Sequence, residues 1–339
     1  VTAVAVLPML QVGGMQLFRT ESSDRSQKIV PRTGQLASGI AIVYCGLTVL
    51  LVIGLLAGGM TLFNAVVHAM TTISTGGFST SDQSIAAFEN PVIHWIIFAG
   101  MVAGALPFVL FVSAMHGHPR MLYKDTQVQW FIGTLAVVIA GITAAEIWFQ
   151  DQEFWLALRL SAFNVTSILS GTGYASSAYD NWGTFAPGIF FMLMFIGGCA
   201  GSASCGIKIF RFQILFAAAG VQIKKLIQPH GVFVAHYNRS AISTDIVESV
   251  MAFTLVYMAS FAVLTIAMGV LGFDLITAAS AAATTISNVG PGLGDIVGPS
   301  GTFAALPAAA KWLLAAGMLL GRLEFFTILV LFAPSFWRG

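Results

Sequence analysis

One short polar stretch recurs along this chain and limits what it can become. Thr71-Thr72-Ile73-Ser74-Thr75-Gly76-Gly77-Phe78-Ser79-Thr80 follows an apolar segment and ends in glycines. Thr284-Thr285-Ile286-Ser287-Asn288-Val289-Gly290-Pro291-Gly292 repeats its opening without a gap, and Ser167-Ile168-Leu169-Ser170-Gly171-Thr172-Gly173-Tyr174-Ala175 is a looser third copy. Gly77, Gly173 and Gly290 fall in one column. Each copy reads as a short helix running into a loop that helical geometry cannot continue, because glycine tolerates backbone angles other residues avoid. Three such loops in register, each between apolar segments, mark a set of diverged repeats.

The surrounding composition says where those repeats live. Hydrophobic residues make up 57% of the 339 and charged residues only 9%, against roughly a quarter charged in a soluble domain. The chain is expected to be an all-α polytopic membrane protein. Its net charge of +1 gives no case for nucleic acid. Cys45, Cys199 and Cys205 lie in or beside apolar runs without metal-ligand spacing and read as small buried hydrophobes. The six histidines are scattered and assemble no metal site with a neighbouring carboxylate or thiol. No nucleophile–base pair sits within the spans, so an enzyme is not expected, and nothing calls for a cofactor.

In chain order, 1–18 reads as the end of a helix and 19–36 as a charged loop. The sequence starts at Val1 inside an apolar run with no basic segment before it, so the expectation is a piece beginning partway through a larger protein, without a signal peptide. Residues 37–118 form one repeat: a span at 37–56, a short amphipathic helix at 62–73, the loop at 74–79, and a return span at 91–115 kinked by Gly104 and Pro107. Residues 119–239 form the next: a span at 128–149, a short helix at 154–169, the loop at 170–175, and a return helix from 185 broken at 197–206. That break, Gly197-Gly198-Cys199-Ala200-Gly201-Ser202-Ala203-Ser204-Cys205-Gly206, is small and polar, and inside a membrane must line a cavity or be buried in protein. A basic loop from Lys224 to Arg239 follows. Residues 240–339 hold the last repeat: a span at 246–271, a short helix at 275–287, the loop at 287–292, and a return span at 312–332.

A helix of about 12 residues is about 18 Å long and cannot cross a hydrocarbon core of about 30 Å. The short helices therefore dip in and come back. Twelve Lys and Arg residues lie away from the glycine loops and two, Arg159 and Lys311, lie on their side. By the positive-inside rule the loops face outward from the plasma (cell inner) membrane. Acids on that side, Asp82, Glu89, Asp151, Glu153, Asp180, Asp274 and Asp295, either concentrate cations or merely keep the loops wet.

A re-entrant helix aims its carbonyl end at the membrane centre, where partial negative charge favours a cation. The loop carbonyls can then replace a hydration shell. No carboxylate falls within the loops, which points to backbone coordination of a dehydrated monovalent cation. The candidate ion-binding residues are Ser74, Thr75, Gly76, Gly77, Phe78, Gly171, Thr172, Gly173, Tyr174, Asn288, Val289, Gly290 and Pro291.

These loops resemble degenerate forms of the potassium-channel filter Thr-Val-Gly-Tyr-Gly, sharing its middle glycine. With the Gly-Gly-Cys-Ala-Gly-Ser break, Gly321-Arg322-Leu323-Glu324 in the last span and Val-Leu-Pro-Met-Leu-Gln-Val-Gly-Gly-Met-Gln-Leu-Phe-Arg at 6–19, the whole chain is similar to the TrkH/KtrB potassium-uptake family. The resemblance implies four membrane helix–pore helix–filter loop–membrane helix units, pseudo-fourfold around a pore. This sequence holds three of them and the tail of the first. It departs from the family at Ser202-Ala203-Ser204-Cys205-Gly206, where Thr-Ala-Gly-Gly is usual. It further implies potassium as substrate, with sodium as a second permeant ion, a homodimer, and a cytoplasmic nucleotide-binding regulatory subunit of the TrkA/KtrA type.

The implied gate comprises Gly197, Gly198, Gly201, Ser202, Gly206, Lys208 and Arg322. Arg322 is a charge within a span, at a cost of about 2.5–3.5 kcal/mol. The resemblance places it below the filter, hindering permeation; the alternatives are an ion pair with Glu324 or snorkelling. Lys208 is a gate contact or an inner-face anchor. The competing function is a secondary transporter of another solute, which calls for paired discontinuous spans and usually intramembrane acids; the sequence shows one clear break.

Overall fold

The computed structural model describes residues 33–238, 240–323, 325–331 and 336. The expected helix tail at 1–18 and most of the loop at 19–36 lie outside them, as do Arg239, Glu324 and Arg338. From Thr33 the chain is already helical.

The fold is helical, with one two-residue hairpin among the described residues. Helix α1 (Thr33–Ala57) is followed by α2 (Leu62–Ile73), α3 (Pro91–Ala105), α4 (Phe108–Met115) and α5 (Arg120–Lys124). Next come α6 (Thr126–Gln150), α7 (Phe154–Leu169), α8 (Phe185–Leu193) and α9 (Ile209–Ile227). Strands β1 (His236–Tyr237) and β2 (Ser240–Ala241) pair antiparallel before α10 (Thr244–Val270), α11 (Leu275–Ser287), α12 (Ala308–Arg322) and α13 (Phe325–Leu331).

Local chemistry sets many of these boundaries. Asn90 caps α3 through its side-chain oxygen, with Pro91 at the first helical position. Asp125 caps α6 and Asp274 caps α11. Helices α1, α6 and α10 are long and apolar enough to cross a membrane; α2, α7 and α11 are apolar but short, with the bounds the sequence predicts. Each long helix packs on the short helix that follows it. Several apolar cores result, three of them around the short helices. One surrounds Leu55, Ile73 and Ile97, one Phe131, Ile168 and Phe190, and one Tyr257, Ile286 and Phe325. Outward faces remain apolar, with Leu50, Val137, Trp148, Trp155, Leu255, Ile266 and Trp312 exposed. A chain with such faces has lipid as its solvent.

The return segments differ from expectation. In place of a kinked span at 91–115, α3 and α4 meet at 95°. Pro107 has no N–H to give, and Leu106 before it is extended. The last return segment, expected to run unbroken from 312 to 332, ends its first helix at Arg322 and restarts at Phe325. With the break between α8 and α9, the first two return segments are discontinuous, where the sequence suggested one break and one kink. Further differences are local. Lys224 and Lys225 belong to the last turn of α9, not to a loop, and Arg120 and Lys124 sit on the one-turn helix α5. Of the cysteines, Cys199 is buried, Cys205 half-buried and Cys45 exposed on the apolar face of α1.

Candidate ion pathway

Helices α2, α7 and α11 end in the same way. The residue two before each column glycine is left-handed: Thr75 at φ 50°, Gly171 at 71° and Asn288 at 54°. The amide after it bonds back to the residue six before the glycine: Gly76 N to Thr71 O at 2.7 Å, Thr172 N to Ser167 O at 2.9 Å, Val289 N to Thr284 O at 2.9 Å. The left-handed residue itself bonds to Thr72 O, Ile168 O or Thr285 O. These are three Schellman closures in identical register.

The loops are also brought together. A Cβ added at Gly77 would collide with the Thr172 carbonyl oxygen, and one at Gly173 with that of Val289. Only glycine permits this approach. At Gly290 the nearest atoms are the Cα and O of Gly173, at 3.7 and 3.9 Å. Within this cluster the carbonyls of Thr75, Gly76 and Gly77, of Gly171, Thr172 and Gly173, and of Asn288, Val289 and Gly290 accept no hydrogen bond among the described residues. A polar group left without a donor in low-dielectric surroundings is costly. Nine such carbonyls lie in one place.

Three of the expected positions are placed differently. The Phe78 and Tyr174 carbonyls accept from Thr71 Oγ1 (2.9 Å) and Ser167 Oγ (2.6 Å). The Ser74 carbonyl accepts from Thr75 Oγ1 at 2.8 Å. Tyr174 is fully buried and its hydroxyl lies 2.6 Å from Thr71 Oγ1, tying the second loop to the helix of the first. Phe78, its counterpart, is 74% exposed. The carbonyl of Pro291 also accepts no hydrogen bond among the described residues. The column of Thr71, Ser167 and Thr284 was missed as a site; its signal was a hydroxyl at the same position in all three copies.

Below the loops, the break at 197–206 is tied to the elbow between α3 and α4. Cys199 N donates to Ala105 O (3.0 Å), Ala203 N to Gly104 O (3.2 Å), and Phe108 N to Gly201 O (3.1 Å). Each break supplies the partners the other lacks, as non-helical backbone at membrane depth requires. Ala200 N donates to Oε1 of buried Gln127 at 2.8 Å. The neck of the loop is closed by Gly197 N to Ile207 O (2.9 Å), and Gly201 and Gly206 take positive φ. Gly198 N donates to Ser204 Oγ, and Ser202 Oγ to Cys199 O. Arg322 reaches this loop from α12: Nη1 donates to Ala203 O at 3.3 Å and to Cys205 Sγ. Lys208 caps α9.

Small residues set the helices against the short ones. Gly100 and Gly104 on α3 face Thr72 and the Ile73 carbonyl; Gly317 and Gly321 on α12 face Thr285 and the Ile286 carbonyl. The two Gly-x-x-x-Gly faces occupy matching places. On the glycine-loop side, burial pushes the Asp180 carboxyl above the usual range, with Asp295 adding to the shift. Hydrogen bonds from Thr277 hold that of Asp274 below it.

A family model described as TrkH, cation transport protein, matches residues 1–338. The potassium uptake protein TrkI of Halomonas elongata is 47% identical over all of this chain and 69% of its own length. TrkH of Escherichia coli K12 is 35% identical, with 70% of its length covered. The crystal structure of the potassium transporter TrkH from Vibrio parahaemolyticus superposes with a TM-score of 0.86 at 31% identity, over 99% of this chain and 69% of that one. The chain belongs to the TrkH family of cation transport proteins.

Proposed function

We propose that this chain takes up potassium across the membrane through a pore whose filter is built from backbone carbonyls. The relatives named above are potassium uptake proteins rather than enzymes. The observation that carries the filter is the set of nine carbonyls without donors, in three loops packed glycine to carbonyl. Carbonyl dipoles suit a dehydrated monovalent cation, and no side-chain carboxylate enters the set. The ion seat comprises residues 75–77, 171–173 and 288–290, with Ser74, Phe78, Tyr174 and Pro291 flanking it. The repeats at 37–118, 119–239 and 240–339 stand around the pore with loops on the outer face. The arrangement is pseudo-fourfold: Phe78 and the Cα of Gly290 are the two unpacked ends of the row of loops.

The gate in this proposal is the loop at 197–206 held by Arg322. The exposed cations Arg120, Lys124, Lys224 and Lys225 lie on the inner face, where a nucleotide-binding subunit of the TrkA/KtrA type would dock. Family membership also favours a homodimer.

The test is rubidium uptake by the complete protein in cells lacking other potassium systems. Saturable rubidium uptake competed by potassium far better than by sodium is expected. Uptake of a sugar or amino acid instead would favour a secondary transporter. Two observations speak for that second reading: the return segments broken between α3 and α4 and between α8 and α9, and Glu146, a buried carboxylate in α6 whose Oε1 finds no hydrogen-bond partner. Glu146→Gln is expected to leave rubidium uptake intact; abolished uptake with normal membrane insertion would favour the transporter.

A further inference from the structure

The hydroxyls six before the column glycines reach across their loops, as well as or instead of back along the helix; Ser280 does the same toward Leu293. Thr48, Thr254 and Thr265 bond back to the carbonyl four residues earlier, the usual local solution in a helix. So do Thr72 and Thr285, immediately next to the column. Ser167, fully buried, instead donates across its loop to Tyr174 O at 2.6 Å. Thr71 Oγ1 lies 2.9 Å from the equivalent carbonyl, Phe78 O, and also 2.9 Å from Val67 O. When the Tyr174 hydroxyl donates to Thr71 Oγ1, the one Thr71 proton remains for a carbonyl. In the third loop proline stands at the exit, and Thr284 Oγ1 accepts from Gly290 N at 2.9 Å instead.

One residue thus holds each loop at two points. Its carbonyl takes the amide that opens the loop, and its hydroxyl takes a group at the column glycine or just after it. In the first two loops the row of carbonyls left without donors ends at the second tie; in the third, those of Gly290 and Pro291 lie beyond it. The second tie turns the Phe78 and Tyr174 carbonyls back toward the helix, so the row ends there. Without it, those carbonyls are free to rotate toward the ion, and the row gains a member of undefined direction.

We propose that Thr71, Ser167 and Thr284 are specificity-determining positioning residues, whose hydroxyls fix the course of each loop and, at Thr71 and Ser167, where the row of ion-facing carbonyls ends. The inference rests on the filter reading above and names what sets that filter's discrimination.

The experiment measures competition of rubidium uptake by potassium and by sodium in the complete protein. The variants are Thr71→Val, Ser167→Ala and Thr284→Val, compared with Gly173→Ser and with Thr254→Val, whose back-bond lies away from the loops. A lost neutral hydrogen bond of about 1 kcal/mol corresponds to about a fivefold change, and a fall of that order in the potassium-to-sodium ratio is expected at each position. Thr71→Ser and Ser167→Thr should restore the parent ratio, which lost packing alone would not explain. Ser167→Cys, which keeps the size but donates weakly, should fall between. Normal ratios in the hydroxyl variants with an altered ratio in Gly173→Ser would overturn this inference and leave the filter standing. Normal ratios in all of them, Gly173→Ser included, would bring down the filter itself. Should Ser167→Ala not reach the membrane, Ser167→Cys and the other two positions decide.

Discussion

The three column glycines are not equivalent, and the structure ranks them. At Gly77 and Gly173 an added side chain meets the backbone of the neighbouring loop, which cannot swing aside. At Gly290 it meets nothing closer than 3.7 Å, but φ of 120° already excludes other residues at about 1–3 kcal/mol. Gly77→Ser and Gly173→Ser should therefore cost both membrane-assembled protein and selectivity, while Gly290→Ser should mainly lower the potassium-to-sodium flux ratio. Quantifying protein in the membrane alongside that ratio checks the ranking; equal damage at all three would refute it. The glycines were legible in the sequence because positive φ leaves a residue signature. The carbonyl directions were not, because they depend on hydroxyls such as Ser167 whose choice of partner is settled only in three dimensions.

At the scale of elements, the short helices were readable residue by residue. A capping Thr61 or Asp274 starts them, and left-handed Thr75, Gly171 or Asn288 stops them. The size of the break at Pro107 was not readable, since a proline sets only that a helix must yield. The 95° angle depends on Gly201, Cys199 and Ala203 receiving the freed backbone groups from a segment some hundred residues away. If the loop at 197–206 is the gate proposed above, these ties predict how it opens. Moving the loop strips partners from Gly104 O, Ala105 O and the Phe108 amide, so loop and elbow move together. Gln127→Leu leaves the Ala200 amide unpaired, at about 1–3 kcal/mol, and Arg322→Ala removes the donor to Ala203 O. Both should raise rubidium flux with unchanged amounts of assembled protein. Lower flux in Arg322→Ala with normal assembly would make the arginine structural and not a barrier.

For the whole molecule, the membrane class and the repeats followed from a near absence of charge and from one recurring motif. A ring came only from the resemblance; the contacts of Gly77 with Thr172 and of Gly173 with Val289, which join distant stretches, could not be read from the residues. They run in one rotational sense. Continued once more, they call for another carbonyl against Gly290 and another helix over Phe78, which is 74% exposed while buried Tyr174 shows what such a residue does when covered. This chain expressed alone is therefore expected not to restore potassium-dependent growth, and to do so when one further repeat is joined to it; selective rescue by the chain alone would mean the ring closes in another way.

If backbone carbonyls of the three loops hold potassium, thallium, a potassium mimic that scatters anomalously, will mark the site in diffraction. Crystals of the complete protein grown with thallium in place of potassium should show anomalous density between the carbonyls of 75–77, 171–173 and 288–290. That density should weaken in Gly173→Ser. Strong density elsewhere, such as at Glu146, with none between the loops, would contradict the account.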